Sequence, residues 1–116
     1  MPETLKVTVT RGDGYVVMST DGYINNIGGE KVAEECNRLI EEEFRHFILN
    51  LEKSHVINSI GVSILIEVIE RVQEAGGTLS FCGLTPTIAK TFRIMRLTDA
   101  AEIYTDEAEA IAAIPS

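Results

Sequence analysis

The sequence predicts a single α/β domain over residues 1–116: a mixed β-sheet opened by an N-terminal hairpin, with about four helices packed on it. Three observations carry this. Strand-like and helix-like runs alternate from about residue 29 onward, which implies parallel strands joined by right-handed crossovers. The first twenty residues instead read as two strands and a turn. The length of 116 residues is that of one domain, enough to bury a core without metal or disulfide support.

The elements follow in order. Leu5, Val7 and Val9 alternate with Lys6, Thr8 and Thr10, a half-exposed strand. "RGDG" at 11–14 is a tight turn, "YVVMST" returns as a second strand, and "DG" at 21–22 breaks it. Val32, Cys36, Leu39 and Ile40 recur at helical spacing and predict a helix over 29–44. "HFILNL" is a short, nearly continuous apolar run, the mark of a buried strand. A second helix over 59–75 buries Val62, Leu65, Ile66, Ile69 and Val72 and turns Ser63, Glu67, Glu70 and Glu74 outward, until Gly76-Gly77 stops it. "TLSFCGL" is the next strand. Thr85-Pro86 opens a third helix as N-cap and first-turn proline, with Ile88, Phe92 and Met95 on its inner face. A short segment at Glu102–Tyr104 follows, and Thr105 caps a last helix whose Asp106 and Glu107 suit its positive end. No linker, long repeat or low-complexity tract interrupts this order.

Ten basic against eighteen acidic residues give a net charge of −8. That balance excludes a nucleic-acid surface, which needs clustered Lys and Arg, and disfavours anionic lipid. Cys36 and Cys82 form no CxxC pair and read as buried, reduced thiols. "MPETLKVTVT" has no basic stretch followed by an apolar core, and no window is apolar for the length of a membrane span, so a soluble cytoplasmic protein is expected.

No catalytic constellation stands out. His46 caps a strand and His55 sits in a loop, each without a cysteine or serine partner at recognisable spacing. "GG" at 28–29 and 76–77 lacks the spacing of a phosphate loop. The expectation is a non-enzymatic protein without cofactor or metal.

The joint "INSIGV" at 57–62 is more informative. A buried strand hands over to a helix through Asn58, a strong N-cap residue. Gly61 inside the first turn costs about 1 kcal/mol relative to alanine, so something approaches the backbone closely there, whether the core or a partner.

Three pieces resemble the STAS domain of bacterial anti-sigma factor antagonists. "GYIN" at 22–25 matches Gly-x-Leu/Ile-Asp after the second strand. "LNLEKSHVINSIGVSIL" at 49–65 matches Asp-Leu-Ser, a spacer, then Asp-Ser-Ser-Gly-Leu-Gly. "GLTPTIAKTFRIMRLTDAAEIYTDEAEAI" matches the closing helix, the Leu-x-x-Leu turn and the final helix. The resemblance implies partner switching: the unmodified protein binds an anti-sigma factor, often a serine kinase, and phosphorylation of the second serine of Asp-Ser-Ser-Gly breaks the complex. A small-ligand or transporter-accessory STAS module is the alternative, and a homodimer stays open.

The chain departs from the family at the switch. Asn58 stands for the loop aspartate, Ser59 for the first serine, Ile60 for the phosphorylated serine and Asn25 for the aspartate after the second strand; Gly61 is kept. The resemblance therefore implies a partner-binding set of Asn25, Asn58, Ser59, Ile60, Gly61 and Ile64 with an apolar tip. Ser59 is the only phosphorylation candidate left there.

Overall fold

The computed structural model describes residues 5–115. Five strands form one sheet in sequence order: β1 (Lys6–Arg11), β2 (Val16–Asp21), β3 (His46–Lys53), β4 (Thr78–Cys82) and β5 (Glu102–Tyr104). β1 and β2 are the expected antiparallel hairpin, closed by Gly12 N–H donating to Tyr15 O at 2.9 Å. The other neighbouring pairs are parallel. Helices α1 (Asn26–Glu41), α2 (Ser59–Glu74) and α3 (Pro86–Ile94) are the crossovers, and α4 (Glu107–Ala112) closes the described chain.

Strand alternation sorts the core into two layers. Val16, Met18, Phe47, Leu49, Leu51, Leu79 and Phe81 point to the face covered by α1, α2 and α3, where they meet Val32, Leu39, Leu65, Ile69, Ile88 and Phe92. Phe81 and Phe92 meet edge to face at 5.0 Å. Val17, Ile48 and Cys82 point the other way and are covered by Ala110 of α4 with Ile111 and Ile114. The three crossover helices therefore share one side of the sheet. They start at the edge where β2–β5 end and finish at the opposite edge.

Several boundaries differ from the sequence expectation. α1 starts at Asn26, three residues earlier than predicted, with Gly28 and Gly29 buried inside its first turn. Val68 joins the buried stripe of α2 while Ile66 is only half-buried, since α2 is flanked on both sides and needs a wider apolar face. Met95 is exposed at the end of α3, and Leu97 takes the inward place. Asp106, not Thr105, caps α4: its carboxylate accepts from Glu109 N–H at 2.9 Å, while the Glu109 carboxylate accepts from Thr105 N–H. Asp106 is thus the N-cap, one residue later than expected, and Glu109 reaches back past it to the residue before.

Candidate functional site

The site is the edge of the sheet where α1 and α2 begin. Each start is built the same way. Asn25 Oδ1 accepts from Gly28 N–H at 2.9 Å, and Asn58 Oδ1 accepts from Gly61 N–H at 2.8 Å. Both caps hold extended backbone and satisfy amides that the helix itself cannot pair. The sequences echo each other: Asn25-Asn26-Ile27-Gly28 and Asn58-Ser59-Ile60-Gly61.

Parallel pairing of β2 with β3 sets the two starts side by side, and the loops are then stitched together. Ile24 N–H donates to Val56 O at 3.0 Å, Asn58 N–H donates to Ile24 O at 3.2 Å, and Gly22 N–H donates to Lys53 O at 3.2 Å. Below the seam, the hydroxyls of Thr20 and Ser54 meet at 2.7 Å, both buried. Among the described residues every buried side-chain nitrogen and oxygen has a hydrogen-bond partner.

This stitching accounts for Gly61. A Cβ there would lie 2.1 Å from Ile24 O, so the core, and not a partner, demands the glycine. Gly28 is held the same way, with Tyr23 O at 2.6 Å from its would-be Cβ. Ile64 is half-buried against Gly29, part of the contact between α1 and α2, and does not share the exposure of the tip.

The tips are apolar and open. Ile60 is 56% exposed and Ile27 is 59% exposed at the equivalent position of α1, and Tyr23 and Val56 from the two loops are exposed beside them. Ser59 is exposed in the first turn of α2, and neither helix has an acid in its first turn. Of the expected set, the structure brings Asn25, Asn58, Ser59 and Ile60 together at this edge. It uses Gly61 and Ile64 for packing. Sequence reasoning missed Ile27, Tyr23 and Val56, although the repeated Asn-x-Ile-Gly signals the first of them.

Elsewhere, reactive groups are quiet. Burial pushes the Cys36 thiol up to about 12, and burial with the nearby charges of Glu107, Asp106 and Glu52 pushes Cys82 up to about 11. His46 bonds Thr78 Oγ1 at 2.9 Å and His55 bonds Glu52 O at 3.0 Å. Among the described residues no group of His, Cys, Asp and Glu is placed to hold a metal, and no helix is long and apolar enough to cross a membrane.

A five-stranded sheet in this order, with paired helix starts at one edge, defines the class. The chain belongs to the STAS domain family, whose model matches residues 6–110. It is 24% identical over 90 residues to BtrV of Bordetella bronchiseptica, named as a candidate anti-sigma factor antagonist, covering 78% of each chain. Its fold is similar to the crystal structure of an anti-sigma factor antagonist from Mycobacterium paratuberculosis, with a TM-score of 0.85 at 18% identity over 98% of this chain and 97% of that one. It is also similar to the phosphorylated form of SpoIIAA from Bacillus, with a TM-score of 0.73 at 20% identity over 95% and 100%.

Proposed function

We propose that this chain is a protein-binding module of the anti-sigma factor antagonist type, which docks an anti-sigma factor, itself a serine kinase in many such systems, on the paired helix starts. The observation that carries this is the pair of exposed isoleucines, Ile27 and Ile60, held on a rigid seam with Tyr23 and Val56. An apolar patch rimmed by polar groups, here Asn26, Ser59 and the capping asparagines, is the ordinary form of a contact surface. The names of the relatives support the choice of partner.

Binding at this edge is constitutive. A kinase adds charge only where there is a hydroxyl, and Ile60 has none. Ser59 lies about 100° around the helix from it, which presents a different target to a kinase shaped for the next position. The role is binding without turnover.

The test is calorimetry against each anti-sigma factor of the source genome. Wild type binds one of them. Ile60→Glu weakens that complex at least tenfold, about 1.4 kcal/mol or more, because a carboxylate enters an apolar contact without a partner. Ile60→Ser binds nearly as well and gains a site for phosphorylation. Equal affinities for all three remove Ile60 from the interface. Efficient phosphorylation of wild type at Ser59 with loss of the complex overturns the constitutive reading.

A further inference from the structure

We propose that two copies of this chain associate about a two-fold axis through the edge opposite the helix starts, each placing the end of α3 on the end of its partner's α1. The surface is separate from the docking edge, and the inference does not depend on the proposed function.

The basic half of the surface is an island. Residues 83–98 contain Lys90, Arg93 and Arg96 and no acid, while all eighteen acids of the chain lie elsewhere. Lys90 and Arg93 are exposed and make no ion pair among the described residues; Arg96 bonds Asp99. Ile94, between the two arginines, is 68% exposed, and Met95 beside it is exposed as well. Basic groups at a helix C-terminus suit the dipole, which accounts for the arginines. It does not account for an isoleucine left in water among them.

The acidic half lies at the same edge. α1 ends at Glu41, and Glu42 and Glu43 follow it, all exposed. Carboxylates at the negative end of a helix oppose its dipole, so the dipole does not explain Glu41 and Glu43. Arg11 bonds Glu42 through both carboxylate oxygens, at 3.0 and 2.9 Å, and holds that carboxyl below its usual range. Glu41 and Glu43 make no ion pair among the described residues. Half-buried Ile40 and Phe44 flank the run, giving an apolar floor for Ile94 and Met95.

The order of elements makes the two halves self-complementary. α1, α2 and α3 follow one another over one face in sheet order, so the end of α2 lies between the acidic and basic ends. A two-fold axis beside the end of α2 lays each basic end on the partner's acidic end, and both contacts form at once. The end of α2 is open there: Gly76 has empty space beside it. The interface is small and charge-dominated, so the dimer is weak and salt-sensitive.

The experiment is sedimentation equilibrium of the full chain at about 10 mM and about 0.5 M salt, where screening differs most. Wild type dimerises at low salt and dissociates at least tenfold more readily at high salt. Arg93→Glu alone and Glu41→Lys/Glu43→Lys alone are monomers. An equimolar mixture of the two variants dimerises again, because both contacts in the mixed pair become attractive. Rescue also shows that neither variant lost dimerisation by unfolding. A wild type that stays monomeric at low salt overturns the proposal, as does a dimer that both variants retain, or a mixture that fails to recover.

Discussion

The start of α1 and the start of α2 carry the same four-residue pattern, the same asparagine cap and the same outward isoleucine, yet they are held with different force. At α2 a Cβ on the glycine would lie 2.1 Å from Ile24 O, and at α1 the corresponding Cβ would lie 2.6 Å from Tyr23 O, a less severe overlap. Ser54, in the loop feeding α2, is anchored by a buried hydroxyl pair, and the loop feeding α1 makes no such pair among the described residues. The local motif sets the shape of a helix start. The backbone packed under it sets how much change it tolerates.

The largest expected effect tests that difference directly. Gly61→Ala forces a methyl into a backbone carbonyl and costs about 3 kcal/mol or more, at the upper end of overpacking losses. Gly28→Ala costs about 2 kcal/mol, because its gap is wider. Urea unfolding of both variants measures this, and a larger loss at Gly28 than at Gly61 breaks the comparison. Next, Ser54→Ala strands the Thr20 hydroxyl in the core and costs about 1–3 kcal/mol, while Ser54→Ala with Thr20→Val loses clearly less than the two single changes together. A double mutant that merely adds the single losses refutes the pair as an anchor of the α2 loop. Smaller again, Asn25→Ala and Asn58→Ala each cost about 1 kcal/mol by thermal or urea unfolding, equal within error, since the caps are geometrically alike. Asn58→Asp gains a few tenths of a kcal/mol near neutral pH through the helix dipole, and the gain shrinks with salt. The smallest effect is at the tips: Ile27→Ser and Ile60→Ser change stability by less than about 0.5 kcal/mol, because neither side chain is in the core. A large loss at either would mark that tip as a packing group.

Most of the fold was legible because its signals are local. Alternation found the strands, helical spacing found the helices, and "RGDG" found the hairpin turn. The failures have physical causes. The helical period first shows at Val32, but the helix starts at Asn26, and a close carbonyl and a neighbouring isoleucine require the small residues Gly28 and Gly29 inside it. Met95 continues the period of α3, but the helix ends before it and Leu97 fills the place. At the site, Asn58 was legible because cap chemistry is local too, while Ser59 and Ile60 were picked out by the resemblance to the family. Tyr23 and Val56 were not legible, because a lone apolar residue in a polar loop carries no signal by itself, and Ile27 is marked only by the repeat of Asn-x-Ile-Gly. Their adjacency to Ile60 exists only once β2 and β3 pair in parallel.

Ile24 is buried, and its amide and carbonyl are both engaged across the seam, while the same carbonyl sets the limit on Gly61. Amides at Ile24 and Asn58 should therefore exchange with solvent as slowly as strand amides, although both lie outside the named strands. The seam acts as a sixth rung of the sheet from which the tips project. Because the rung is made of backbone, it does not depend on which side chains the tips carry. Residues 27 and 60 can therefore change one at a time while the scaffold beneath them stays folded.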